Sequence, residues 1–164
     1  MTSASTADSP TEATITLPSL AATRSFARRL ARAWRAGDVI ALNGDLGAGK
    51  TELARAAIQA ALGDLVEVPS PTFTLVQIYH SKAADIWHFD LYRLSGEDEV
   101  VELGWLEAQS EGVVLVEWPD RLGGLLPGDR LDVSLAEGDG PDARVVTVAA
   151  GASWRDRLPD LAGQ

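Results

Sequence analysis

The sequence predicts an α/β protein with a mixed, mostly parallel central sheet, on three observations. Apolar, β-branched runs alternate along the chain with stretches of helical spacing. A glycine-rich turn joins one such run to the helix that follows it. Two strand-like runs lie close together near the end with no helix between them, so a purely parallel sheet is not expected. The 164 residues, 46% of them hydrophobic, suffice for one domain with a core of its own.

Residues 1–12 carry almost no bulky apolar side chains and read as a disordered tail before a single domain over 13–164. They contain no apolar segment of the kind a secretory signal needs. Ile15 and Leu17 mark a short strand. Ser19 is placed to cap a helix running to about Ala36, with Leu20, Phe26, Leu30 and Trp34 on one face. Asp38 to Asn43 reads as a buried strand, and Lys50–Leu62 as a helix stopped by Gly63. Pro69-Ser70-Pro71 imposes a stiff, extended loop. Thr72–Tyr79 and Asp85–Leu91 read as paired strands, and Glu97–Leu106 as a helix. Val113–Val116 is wholly apolar, as a central strand should be. Arg130–Leu135 and Arg144–Ala149 supply the last two strands, and a short helix follows Ser153.

The chemistry concentrates in Gly44-Asp45-Leu46-Gly47-Ala48-Gly49-Lys50-Thr51, which matches G-x-x-x-x-G-K-[ST] in full. Glycines at these spacings let the amides of Asp45, Leu46, Gly47, Ala48 and Gly49 turn toward phosphate oxygens. The helix N-terminus adds partial positive charge. Lys50 suits the terminal phosphates and the Thr51 hydroxyl suits Mg2+. Lys50 is one of only two lysines, the other being Lys82. With a strand before it and a helix after it, the motif refines the expected architecture to a three-layer P-loop NTPase-like fold.

Such a loop needs a carboxylate at the end of a neighbouring strand. Asp90, ending Ile86–Asp90, and Glu117, ending Val113–Glu117, are the candidates. Glu117 is the better metal ligand because its strand is wholly apolar. Thr72, held by two prolines, either senses a γ-phosphate or, with Ser70, satisfies its own turn. Arg93 reaches phosphate or pairs with a carboxylate. His80 and His88 are expected to be packed or solvated, since no second His or Cys completes a metal site. Trp118, directly after Glu117, is positioned to fix the loop beside the nucleotide.

Composition excludes several classes. The formal charge is −10, from 24 acidic and 14 basic residues, which argues against direct binding of a nucleic-acid backbone. With no cysteine, there is no disulfide framework and no thiolate nucleophile. No stretch approaches the length of a membrane span, and a cytoplasmic location is expected. A small-molecule kinase is the alternative enzyme, but only Arg121 and Arg130 follow Glu117 as lid arginines. A nucleotide-gated binding module without catalysis is a third reading. A GTPase is disfavoured because neither lysine lies in an [NT]-K-x-D context.

Together and in order, GDLGAGKT (44–51), SPTFTL (70–75), HFDLYRL (88–94), ELG (102–104) and LVEWP (115–119) resemble the TsaE family of P-loop ATPases, also called YjeE. The resemblance spans about residues 13 to 150. It implies an ATPase required for N6-threonylcarbamoyladenosine in tRNA, acting on a TsaB–TsaD dimer to reset it between turnovers. It also implies Lys50 on phosphates, Thr51 and Glu117 on Mg2+, and Thr72 and Asp90 near the γ-phosphate. Glu52 departs from the Thr or Ser common after the P-loop threonine, and the match thins after Asp129. A protein this acidic is expected to meet tRNA only through its partners.

Overall fold

The computed structural model describes residues 11–63 and 66–163. The chain runs β1 (Glu12–Leu17), α1 (Leu20–Ala33), β2 (Val39–Asn43), α2 (Lys50–Leu62), β3 (Val76–Tyr79), β4 (Ile86–Asp90), α3 (Glu97–Glu102), α4 (Trp105–Glu111) and β5 (Val113–Glu117). A 3-10 helix (Pro119–Leu125), β6 (Leu131–Glu137), β7 (Arg144–Ala150), a second 3-10 helix (Ala152–Arg157) and α5 (Leu158–Leu161) complete it. Glu12 pairs with Ala149, so the domain begins inside the stretch read as tail. The rest of that tail, residues 1–10, lies outside the described residues.

All seven strands form one sheet in the order β1-β7-β6-β2-β5-β4-β3. β6, β2, β5 and β4 pair in parallel, while β7 is antiparallel to β1 and β6, and β3 is antiparallel to β4. Five strands therefore point one way and two the other, as the mixed, mostly parallel prediction requires. Alternation along each central strand splits the core in two. Ile40, Leu42, Ile86, Val113 and Leu115 face α1, α2 and α5. Val39, Ala41, Trp87, Phe89, Val114 and Val116 face α3, α4 and the first 3-10 helix. These are the three layers.

Local boundaries follow from particular contacts. The Ser19 hydroxyl accepts the Ala22 amide at 3.1 Å and caps α1, as expected. The helix ends at Ala33 rather than near Ala36, because the Asp38 carboxylate accepts the Arg35 amide at 2.6 Å and closes a turn there. Gly63, at φ 121, ends α2. β3 starts at Val76, not Thr72, since Leu75 turns to φ 69 and donates its amide to Pro71 at 2.7 Å. The stretch 97–106 splits into α3 and α4 at Gly104, whose φ is 100. A Cβ at Gly104 would sit 2.9 Å from the Trp87 ring, so the break is also a packing requirement. Among the described residues, no helix is long and apolar enough to cross a membrane.

One buried ion pair ties the C-terminal segment to the core. Arg157 donates to both Asp38 oxygens, at 2.7 and 3.1 Å, and to the Ala33 carbonyl at 2.9 Å. Both side chains are nearly excluded from solvent. Asp38→Ala strands the guanidinium without its counter-charge and is expected to cost about 3–5 kcal/mol, read as a lowered denaturant midpoint with an unchanged slope.

Candidate nucleotide-binding site

The parallel register sets the site. Leu42 of β2 lies opposite Glu117 of β5, and Glu117 opposite Asp90 of β4. The loop after β2 and two acid-ended strands thus finish at one edge of the sheet, where open α/β folds place their ligands. A cleft of about 310 Å³ opens there, lined by Gly47, Lys50, Thr51, Thr72, Asp90 and Glu117 among others.

Gly44, Gly47 and Gly49 all have positive φ, at 149, 84 and 106. At Gly44 a Cβ would also lie 2.8 Å from the Leu135 carbonyl, so only glycine lets the loop pass β6 this closely. Asp45, Leu46 and Gly47 are exposed at the loop tip, and Ala48 is buried beneath it. Arg144 of β7 donates to the Ala48 carbonyl at 2.9 Å and fixes the far side of the loop.

Lys50 is 5% exposed. Its ammonium donates to the Gly44 carbonyl and to the Asp45 carbonyl at 3.4 Å, and stands 3.7 Å from the centre of the Trp118 ring. Burial pulls its pKa below the ordinary lysine value, against the opposing pull of Glu117, Asp90, Asp45 and Asp120. No carboxylate forms an ion pair with it among the described residues. Trp118 holds a left-handed backbone at φ 60, with its ring 5.0 Å from that of Tyr92.

Glu117 is 2% exposed. The Thr51 hydroxyl donates to Oε1 at 2.8 Å, and His88 Nε2 meets Oε2 at 2.7 Å. Asp90 accepts the Thr72 hydroxyl at 3.2 Å on one oxygen and the Tyr92 amide at 3.1 Å on the other. Thr72 also meets Ser70 at 2.7 Å. The Thr72 hydroxyl thus serves its own loop and reaches Asp90 as well. Among the described residues no cluster of three or more His, Asp or Glu side chains forms a metal cage. A hydroxyl and one carboxylate suit instead a hard divalent cation that keeps waters and takes its other ligands from phosphates.

A family model described as Threonylcarbamoyl adenosine biosynthesis protein TsaE matches residues 17–146. The chain belongs to the TsaE family. It is 41% identical over 138 residues to the tRNA threonylcarbamoyladenosine biosynthesis protein TsaE of Streptomyces coelicolor, covering 80% of this chain and 93% of that one. It is 38% identical over 129 residues to the protein of the same name from Bacillus subtilis, covering 78% and 79%. The crystal structure of Bacillus subtilis YdiB superimposes with a TM-score of 0.73 at 27% identity, covering 93% of this chain and 95% of that one. The fold is thus that of a P-loop NTPase, and the family match extends past Asp129, where the motif resemblance thins.

In this TsaE-family chain the residues read from sequence, Asp45 to Thr51, Thr72, Asp90 and Glu117, lie together at the sheet edge. Arg93 does not join them, its guanidinium lying 4.9 Å from the centre of the exposed Phe73 ring. Arg130 donates to Asp132 and the Pro127 carbonyl, so it is not a free lid arginine. Two contributors escaped sequence reasoning. Arg144 lies 94 residues from Lys50 in sequence, and nothing local marks it. His88 is packed, as expected, but its partner is Glu117. The signal for it was available, since His88 lies two residues before Asp90 on the same face of β4.

The contact with Glu117 is the one hydrogen bond the His88 ring makes, since its buried Nδ1 has no partner. His88→Leu leaves Oε2 buried without a donor and is expected to cost about 1–3 kcal/mol in urea unfolding. Adding Glu117→Gln to that variant should recover part of the loss, because the stranded charge is then gone.

Proposed function

We propose that this protein binds ATP with Mg2+ and hydrolyses it, and that hydrolysis supports N6-threonylcarbamoyladenosine modification of tRNA by acting on a TsaB–TsaD complex. Membership of the TsaE family supports the pathway. The observation that carries the chemistry is the 2.8 Å contact of the Thr51 hydroxyl with Glu117, beside a buried Lys50 that has no carboxylate partner among the described residues.

In this reading the amides of Asp45 to Thr51 hold the phosphate chain at the start of α2. The Lys50 ammonium exchanges two backbone carbonyls for phosphate oxygens. Thr51 and Glu117 hold Mg2+, with His88 keeping the carboxylate oriented. When bound, Mg2+ supplies positive charge to the β- and γ-phosphate oxygens. Asp90 and Thr72 fix the Pro69–Thr72 loop over the γ-phosphate. Asp90 bonds the Thr72 hydroxyl and the Tyr92 amide, both at the ends of loops beside the cleft, and is assigned to ordering them.

Turnover by the isolated chain is expected to be slow. Arg144 is the one arginine among the described residues lining the cleft, and its N–H groups serve the Ala48, Pro141 and Ala143 carbonyls. Among the described residues no other arginine lines the cleft to stabilise the transferring phosphoryl group, a contribution worth about 10³–10⁵ in rate where present.

Phosphate release measured with and without TsaB–TsaD and unmodified tRNA tests the proposal. Lys50→Ala and Glu117→Ala should each lower turnover by about 100-fold or more, and the partners should raise the wild-type rate. ATP should outcompete GTP. Unchanged hydrolysis in both variants would overturn the ATPase assignment.

A further inference from the structure

Net charge conceals how the charge is distributed. Between Glu12 and Asp38 there is no Asp or Glu, but there are five arginines, Arg24, Arg28, Arg29, Arg32 and Arg35. This segment contributes +5 to a total of −10, which leaves −15 on the remainder. Arg29 is committed, donating to Leu161 and Ser25. Arg24, Arg28, Arg32 and Arg35 are exposed. None of the four has a carboxylate within ion-pair distance among the described residues.

Spacings of four residues put Arg24, Arg28 and Arg32 on one stripe of α1, and exposed Arg35 follows just past the helix end, where the chain turns extended at Trp34. From Arg24 to Arg32 the stripe covers about 12 Å at 1.5 Å per residue. It starts beside the first turns of α2, where Arg24 shares a recess with Glu52 and Arg55, themselves an ion pair. Near its C-terminal end Ala31 and Trp34 line a groove of about 640 Å³ with His80 and Lys82 among others, a groove that none of the four arginines lines. Lys82 adds a cation there, and the exposed His80 ring is available for stacking beside Trp34, which is half-buried against the core. Asp85 stands at this end and pairs with His80 at 2.9 Å. Asp160 shares a recess with Arg32 but forms no ion pair with it.

Across the sheet, α3 and α4 carry Glu97, Asp98, Glu99, Glu102, Glu107 and Glu111. A polyanion would be repelled from that face and drawn to α1, so the charge pattern also sets an orientation.

We infer that the α1 arginine stripe is a docking surface for the phosphate backbone of RNA, with the groove at Trp34 receiving an unstacked base. The inference rests on the proposed role in tRNA modification, and it revises the expectation that tRNA is met only through partners. Arginine alone occupies the stripe, which matches the bidentate recognition that phosphate favours. The line of charge with an aromatic groove at its end fits a nucleic-acid strand better than the scattered carboxylates of a protein face.

Fluorescence polarisation of a labelled, unmodified tRNA transcript with the full chain tests this. Four phosphate contacts predict an affinity loss of about 50- to 150-fold between 50 and 200 mM salt. A variant with Arg24→Gln, Arg28→Gln, Arg32→Gln and Arg35→Gln should lose both the binding and its salt dependence, with its circular dichroism unchanged. Adding Glu97→Gln, Asp98→Asn, Glu99→Gln and Glu102→Gln returns the net charge to −10 and should not restore binding, because position decides. Equal binding by wild type and the arginine variant would overturn the inference. So would absence of tRNA binding by the wild type combined with loss of TsaB–TsaD binding by the variant, which would assign the stripe to an acidic protein face. Nucleotide hydrolysis and complementation of the modification in the same variants separate the two claims. If the wild type does neither, the proposed function falls. If it does both while tRNA is not bound, only the stripe inference falls.

Discussion

A carboxylate buried between a hydroxyl and an imidazole is the constraint around which this site is organised. Taking an ion out of water costs several kcal/mol unless its oxygens are met. Here one oxygen of Glu117 is met by Thr51 and the other by His88. Those two partners come from different elements, the start of α2 and the middle of β4. The contact therefore exists only if β2, β5 and β4 lie side by side in one register. The same register carries Asp90 to the edge beside Glu117, and the apolar remainder of each strand supplies the packing that offsets the cost of burying charge.

Lys50 adds the opposite charge without cancelling it. Its ammonium sits on two backbone carbonyls and the face of Trp118, partners that hold a cation but do not neutralise it. An arrangement with buried carboxylates on one side and an ammonium without an ion-pair partner among the described residues on the other is expensive to keep. It is what a site for an anion and a divalent cation together requires, and this is why the geometry supports the nucleotide reading more strongly than the loop motif does alone.

The fold was legible wherever one residue type imposes a local rule. Ser19 capped its helix, Gly63 stopped one, and the apolar run before Glu117 lay inside the sheet, between β2 and β4. Errors came where a tertiary contact overrode local pattern. Thr72 to Leu75 have strand composition, but Leu75 turns back to bond Pro71, and this turn aims Thr72 at Asp90. Glu97 to Leu106 have helical spacing, but the Trp87 ring needs the space a Cβ at Gly104 would take. In the site, the glycines, Lys50 and Thr51 were legible because phosphate chemistry restricts their types and spacing. Arg144 was not, because its role depends on β7 passing the loop, and chain-end pairing leaves no mark in a local window.

Net charge over the whole chain says little about any one face, for a related reason. A sum over the chain is informative about long-range fields only when the charges are mixed, and here a layer of sheet separates them. At physiological ionic strength the screening length in solvent is about 8 Å, so exposed charges on opposite faces of the sandwich interact only weakly through the surrounding water. A polyanion approaching α1 therefore meets the arginines of that helix largely shielded from the carboxylates of α3 and α4. Local charge on the approached face governs the encounter, and on α1 that charge is positive over its whole exposed length.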